Sequence, residues 1–574
     1  MPQPTPATAV RFEDFVLDEA AYELRRHGRS VRIERRPMEL LMLLVARRGE
    51  LVTREEIVDR LWGREVFIDV DASVNTVVRK VRRALRDSAG RSRFVQTVPG
   101  RGYRFIAEVD AVALRAVLAV LAFENLQGDR EQDYIAGGLT EETIVGLARV
   151  DPARLSVIGR TSSTAYRGTT RTIGDIGRDL GADYVVAGSI RGGGGHVRVT
   201  ATLTRVRDQV QIWTETYDRE ANNLLGLQVE LGRDIAERIH LRLSPGRAAT
   251  IARTQTQNPA AYDLYLRGRH HYNDMTPATA ARALDCFRRA TTLDPSYALA
   301  WAGIADTYSS RLFNSDTRPS EVADEARMAA SRAIEADETV AEAHTAVARV
   351  RFLFDWDWRA AEMHLRRAIA LNASSGQSYW MLGHALSHQG RHDEAIATAA
   401  RALALDPRDA LSHTMSSQIA FSARQPEAAA RHAREALAIE PDFWVAHWQL
   451  GQAYEQLGQP DPALLALAEA SRLSRGNSKP ASLCAYVLGR TGRVSEARDV
   501  ATGLERSSDA QYVPPVALAL AYAGLNDDPR VFEWLERALA LRDVHLIYLP
   551  WDPKWDRFRQ DERFCDLLKR CGFI

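Results

Sequence analysis

The chain is poor in cysteine, in net charge and in long apolar runs. Four cysteines in 574 residues, Cys286, Cys484, Cys565 and Cys571, are scattered over predicted helices. They form no CxxC, have no histidine at zinc-ligand spacing and suggest no disulfide framework, which points to a reducing compartment and to four small core or surface thiols. Lysine plus arginine equals aspartate plus glutamate at 75 each, so no global field favours a nucleic acid. The most apolar stretch, Ala111 to Phe123, is interrupted by Arg115 and falls short of the roughly 20 apolar residues a spanning helix needs. Its second half reads as a buried strand. The start, MPQPTPATAV, lacks the basic and apolar regions of a secretory signal. These absences predict a cytoplasmic chain with no membrane contact. HExxH, GxSxG, Walker A and kinase motifs are also missing, so no catalytic site and no cofactor are expected.

What is present is uneven. Residues 1 to 108 carry 21 lysines and arginines against 16 acidic residues, a local excess of positive charge. Much of it lies in SVNTVVRKVRRAL, 73 to 85. Val74, Val78, Val81 and Leu85 recur at helical spacing and make one apolar stripe. Asn75, Thr76, Arg79, Lys80, Arg82, Arg83 and Arg86 lie off it, free to meet phosphates and base edges. A hairpin follows: Phe94 to Thr97 alternates into a strand, Pro99-Gly100-Arg101-Gly102 turns, and Tyr103 to Ile106 returns. A helix of this size fits a major groove, and Arg101 at the tip can enter a narrow one.

Upstream, Phe12 to Leu17, Tyr22 to Arg26 and Val31 to Ile33 read as three short strands, with His27-Gly28 as a turn. Pro37 opens a helix with Met38, Leu40, Leu41, Leu44 and Val45 on its apolar side. Thr53 with Glu56 is a capping-box start for a helix running to about Trp62. The order is therefore small sheet, three helices, hairpin.

With REEIVDRLWG (54 to 63), SVNTVVRKVRRAL and VQTVPGRGYRF (95 to 105), this segment resembles the winged-helix domain of OmpR/PhoB-type regulators, and more closely the CadC/ToxR-like group. The resemblance implies base contacts from Thr76 and Lys80, phosphate contacts from Arg79, Arg82 and Trp62, and wing contacts from Thr97, Arg101 and Tyr103. Some members carry an arginine where this wing has Pro99, which would move minor-groove reading to Arg101.

Residues 115 to 245 read as a compact α/β unit: strands at 117–123, 155–158, 184–190, 196–205 and 210–217, helices at 140–148, 173–180 and 224–243. The segments LAVLAFENLQGDREQDYIAGGLTEE and GADYVVAGSIRGGGGHVRVTATL resemble the TolB amino-terminal-like domain. Gly192 to Gly195 reads as a hairpin turn rather than a phosphate loop, since no Lys-Ser/Thr follows. Asp129, Glu131, Asp133, Glu141 and Glu142 lack EF-hand spacing and read as an exposed acidic loop entering a helix start, where the two glutamates favour the positive helix end.

From about Asn258 to the end the chain repeats. RRATTLDPSYALAW, RRAIALNASSGQSYW, ARALALDPRDALSH and REALAIEPDFWVAHW recur, and Asn372, Asp406, Glu440 and Ser474 mark a 34-residue period. That is the tetratricopeptide period, in which helix pairs stack into a superhelix with a concave groove. Residues 310 to 320 lengthen one repeat, and LPWDPKWDRFRQDERFCDLLKRCGF resembles the usual cap of such arrays. Trp356, Trp358, Tyr379, Trp444 and Trp448 are candidate groove anchors, with packing between helices the favoured role for most.

The expected fold class is multidomain: an α+β winged helix (1–108), a small α/β domain (115–245) and an all-α tetratricopeptide superhelix (258–574). With no receiver domain ahead of the winged helix, input is expected through the middle unit or the repeats. The expected function is a one-component transcriptional regulator, dimeric on double-stranded DNA and in contact with RNA polymerase. A protein or peptide would sit in the repeat groove, and a small-molecule ligand in the middle domain. Two alternatives compete. In one, the chain is a scaffold whose winged helix contacts protein, and DNA binding would be weak and sequence-blind. In the other, the middle unit acts on nucleotides, which requires a bound nucleotide or turnover.

Overall fold

The computed structural model describes residues 9–18, 22–26, 29–63, 70–88, 90, 92–112, 116–126, 133–151, 154–193, 196–220, 224–239, 256–273, 276–314 and 316–574. The chain divides into two compact units, Met1–Arg115 and Ala116–Ile574.

In the first unit, strands β1 (Ala9–Phe12), β2 (Phe15–Asp18), β3 (Glu23–Arg26) and β4 (Arg29–Ser30) form an antiparallel sheet. Helices α1 (Arg35–Ala46), α2 (Arg54–Leu61) and α3 (Val70–Leu85) follow. Strand β5 (Leu51–Thr53) joins the wing hairpin of β6 (Val95–Val98) and β7 (Gly102–Phe105) in the order β5-β7-β6. Phe12, Phe15, Phe94 and Phe105 meet in one aromatic cluster that ties the first sheet to the hairpin. The single strand expected over Phe12 to Leu17 is two strands, turned at Glu13 with φ 48°. Phe12 and Phe15 pair across that turn and both face the core, so alternation alone misses it. The third strand lies at Arg29–Ser30 rather than Val31 to Ile33. The His27-Gly28 turn falls outside the described residues. Helix α1 begins two residues before Pro37, which still sits in the first turn, where its missing N–H costs nothing. The capping box is formed: Thr53 Oγ1 accepts from Glu56 N at 3.2 Å, and Thr53 N donates to Glu56 Oε2 at 2.7 Å. Strand β8 (Asp110–Val112) pairs antiparallel with β1 and completes the first sheet.

The second unit opens with a six-stranded sheet, five strands in one row and a sixth paired beside them: in spatial order β11 (Leu155–Val157), β9 (Ala116–Val120), β12 (Tyr184–Gly193), β13 (His196–Arg205) and β14 (Val210–Glu220). Strands β9, β11 and β12 are parallel. Strands β13 and β14 extend the sheet antiparallel, and β10 (Glu124–Asn125) pairs with β12. Helices α4 (Asp133–Val150) and α7 (Leu224–Arg238) share a core with β9, β13 and the repeat helices. Helix α5 (Arg160–Thr164) follows β11, and helix α6 (Ile173–Asp179) packs in a separate core with Ala119, Val185 and Val206. Among the described residues no helix is long and apolar enough to cross a membrane. Strand β9 occupies the second half of the stretch from 111 to 123, and residues 113–115 lie outside the described ones.

Helix pairs fill the rest. Asn372, Asp406, Glu440 and Ser474 each stand at the C-terminal cap of a repeat's second helix, as do Asp294 and Asp337 earlier. The 34-residue period is therefore the recurrence of one cap. The insert carries a short 3₁₀ turn, Pro319–Glu321. A π-turn at Arg351–Asp355 adds slack in the next repeat and ends at Trp356 in a left-handed conformation. The last segment does more than close the end of the stack. Trp551 Nε1 donates to His388 O at 2.9 Å, Arg424 bonds Asp556, and Lys554 Nζ donates to Gln452 at 2.6 Å. Phe573 stacks on Trp358 at 4.9 Å. The segment thus runs back against the first helices of three earlier repeats.

Candidate nucleic-acid interface

Helix α3 buries Val74, Val77, Val78, Val81 and Leu85 against the core of the first unit. Its other side carries the predicted site residues, and the structure gives them different surroundings. Arg79 and Arg83 are exposed and have no intramolecular partner among the described residues. Thr76 is half-buried beside them. Lys80 Nζ donates to both carboxylate oxygens of Glu34, at 2.8 and 2.7 Å. Both ends of that pair are well exposed, so the bond competes with water and is worth little.

Arg82 is held differently. Its Nη2 donates to Val95 O at 2.7 Å and to Thr97 Oγ1 at 2.9 Å, fastening the helix to the first wing strand. Tyr103 is 3% exposed and its hydroxyl donates to Asn75 Oδ1 at 2.7 Å. Arg54 closes the group, donating to Asn75 Oδ1 at 3.2 Å with its guanidinium over the Tyr103 ring. Asn75, Arg82, Thr97 and Tyr103 are thereby brought together as a brace between helix and wing. Trp62, at the end of α2, lies under the Arg36 guanidinium at 5.3 Å, away from that brace.

At the tip, Gly100 takes φ 70°, and Arg101 is exposed with no side-chain partner among the described residues. Gly102 lets β5 pass close: a Cβ there would collide with the Val52 carbonyl oxygen. Two positioning residues escaped the sequence reading. Asp87, just after α3, accepts from the backbone N–H groups of Ser88, Arg93, Phe94 and Val95 and so sets where the wing begins. Arg54 looked like an ordinary residue of the first turn of α2. Nothing in the local pattern marks either: Asp87 acts across the loop that follows α3, and Arg54 acts on α3 and the second wing strand.

In the second unit, Glu141 and Glu142 lie mid-helix rather than at a helix start, Glu142 buried and Glu141 half-buried rather than in an exposed loop. Arg269 Nε donates to Glu141 at 3.0 Å, and Arg149 Nη2 donates to Glu342 at 2.6 Å. Burial pushes the Glu141 carboxyl up, but Arg269 and Arg160 outweigh it and hold it below the usual value. Glu142 is pushed up to about 7 by burial and by Glu141. Asp129 and Glu131 lie outside the described residues, as do Gly194 and Gly195; the β12–β13 pairing runs to Gly193 and His196. Among the described residues no group of His, Cys, Asp and Glu side chains is arranged to hold a metal ion.

Residues 28–105 match the family described as "Transcriptional regulatory protein, C terminal". The amino-terminal unit carries an OmpR/PhoB-type DNA-binding domain. Residues 376–409 and 420–487 match tetratricopeptide repeat families, and the carboxy-terminal part is a tetratricopeptide array. The chain is 34% identical to "Putative adenylate cyclase 3" of Rhizobium meliloti (strain 1021) over 33% of this chain, and spans only 32% of that relative's length. It is 25% identical to "Transcriptional regulator HilA" of Salmonella typhimurium, over 69% of this chain and 70% of that one. Among solved structures it is similar to the RstA DNA-binding domain of Klebsiella pneumoniae in complex with the RstA box, at 24% identity and TM-score 0.16, covering 17% of this chain and 96% of that one. It is also similar to a thermophilic tetratricopeptide protein of Thermus thermophilus, at 21% identity and TM-score 0.28, covering 29% of this chain and 91% of that one.

Proposed function

We propose that the protein is a one-component, DNA-binding transcriptional regulator. One observation carries this reading most strongly. Within a domain of the transcriptional regulatory family, the exposed arginines of α3 stand beside a wing that is braced to that helix and tipped by Arg101. In this reading α3 enters the major groove. Thr76 and Lys80 read base edges, Lys80 exchanging Glu34 for a base. Arg79 and Arg83 meet phosphates, with Trp62 flanking the backbone, and Arg101 enters the adjacent minor groove. Asn75, Arg82, Thr97 and Tyr103 hold helix and wing in register and offer their remaining hydrogen-bonding capacity to the backbone.

The working parts are 1–108 for DNA, a TolB amino-terminal-like 115–245, and 258–574 for partners. The regulator works in the cytoplasm, away from the membrane, without catalysis, and binds DNA as a dimer in contact with RNA polymerase. Its signal is a protein or peptide at the repeats or a small molecule at the middle part. A signal of either kind must favour one arrangement over another, because a ligand indifferent to both shifts nothing.

Genome-wide occupancy of the tagged full-length protein tests this, with membrane and soluble fractions taken from the same cells. Sharp peaks sharing a repeated half-site, from the soluble fraction, are expected. No enrichment under any condition would transfer the reading to a scaffold whose winged helix contacts protein. Sharp peaks from a membrane-bound protein would overturn the cytoplasmic placement.

A further inference from the structure

The inner face of the repeat array encloses a cavity of about 1080 Å³, the size of a site for a drug-sized molecule or somewhat larger. The α/β part covers it with Glu142, Ile144 and Val145 of α4, and the carboxy-terminal segment covers it with His545 and Tyr548. A groove covered on two sides admits a small molecule more readily than a folded partner.

The lining is not neutral. Nine carboxylate residues face five arginines and lysines around it. At the α4 end the charges pair off, Arg269 with Glu141 and Arg349 with Asp306. The excess is at the repeat turns, where Asp406, Asp409, Glu440 and Asp442 gather. Burial and the neighbouring Asp409 push the Asp406 carboxyl up, and burial, Asp409 and Asp442 do the same to Glu440. Asp406 and Asp409 already bond backbone N–H groups at helix starts, but among the described residues the side chains of Glu440 and Asp442 accept no such bond. Directly after this corner, Trp444 and Trp448 stand one helical turn apart and both line the cavity. Trp444 already has a cation near its ring, Lys479 Nζ at 6.0 Å, whose charge lies near Asp316 and Asp543. Indole faces attract cations most strongly among side chains.

A further lining side chain points to a ligand. Asn477 is 6% exposed, and its Nδ2 has no hydrogen-bond partner among the described residues. A buried polar atom of this kind is costly unless something completes it.

We propose that this chamber binds a small organic amine on an aromatic body, its ammonium among the carboxylates of the repeat turns and its ring against Trp444 and Trp448. A hydrogen-bonding substituent on the ring would meet Asn477. The inference rests on the reading of the second unit as the receiver of a signal, but its test needs no DNA.

The full-length chain is titrated with tyramine, tryptamine and phenethylamine, and separately with the matching aryl carboxylates. Binding is read by calorimetry, by tryptophan fluorescence and by the shift in unfolding midpoint. At least one amine is expected to bind saturably, with one ligand per chain, and the carboxylates are not. The double variant Glu440→Gln with Asp442→Asn relieves the crowding of carboxylates at this corner and should unfold at or slightly above the wild-type midpoint without ligand. It should bind the amine about tenfold more weakly. Failure of all three amines to saturate, equal binding by the carboxylates, or wild-type affinity in the variant would each overturn the proposal. DNA binding without amine binding would overturn the chamber and leave the regulator standing; amine binding without DNA binding would do the reverse.

Discussion

Neighbouring arginines on one helix can do different work. Arg83 is exposed, whereas Arg82, one residue earlier, spends its donors on Val95 O and Thr97. Arg83→Ala should therefore weaken binding to every DNA sequence alike and flatten the salt slope by about one, with little change in stability. Arg82→Ala should also cost on the order of 1 kcal/mol of domain stability, because a wing carbonyl loses its donor. Anisotropy titrations over a salt series, with urea unfolding of the same samples, separate the two; identical behaviour would dismiss the brace. Lys80→Ala should instead cost roughly 1–3 kcal/mol at one favoured base pair and little elsewhere. A loss independent of sequence would remove Lys80 from base reading. All three residues were legible as basic and off the apolar stripe. Their division of labour was not, because it depends on a strand more than ten residues downstream.

Among the elements, α2 shows how far a local signal reaches. The Thr53–Glu56 pair sets the helix start through bonds within three residues, so the motif and the structure coincide. Thr53→Ala should destabilise the first unit by about 1 kcal/mol, measured by urea unfolding, and an unchanged midpoint would mean that β5 alone holds this turn. Strands were less legible. Phe12 and Phe15 fit one alternating strand as well as two, and only the hairpin places both rings in the same cluster. Strand β8 is three residues long and carries no pattern of its own; it exists because β1 has an edge to pair. The π-turn at Arg351–Asp355 was likewise invisible in the sequence, although the lengthened repeat at 310 to 320 was not.

At the scale of the molecule, the α/β part and the repeats share one core, in which Tyr262, Tyr265 and Phe287 of the first repeat helices join Leu139, Leu147 and Leu231. Polar contacts cross the same boundary: Asp406 accepts from the backbone N–H of Ser162 at 2.7 Å, and Gly159 N donates to Leu405 O at 2.8 Å. This unit should unfold in a single transition, and Glu142 makes its stability depend on pH. The folded carboxyl holds its proton up to about pH 7, whereas its ordinary value is 4.5. Between those values the folded state binds more protons than the unfolded one, so stability falls as pH rises through the window. Glu142→Gln should remove that loss, leaving the variant roughly 3 kcal/mol less sensitive to the change from pH 4.5 to 8. Parallel slopes for wild type and variant in denaturant unfolding would show that Glu142 keeps its charge when buried.

The sequence by itself determined the winged-helix motif, the apolar stripe of α3, the capping box and the repeat period, because each arises from interactions within a few residues or from a spacing that recurs. Only the tertiary structure decided that Arg82 and Tyr103 brace the wing, that Glu141 pairs with Arg269 of another segment while Glu142 is buried beside it, and that the carboxy-terminal segment lies back along the repeats. Those outcomes depend on which surfaces meet between segments distant in sequence, and a helix pattern states which side is apolar without naming what will cover it.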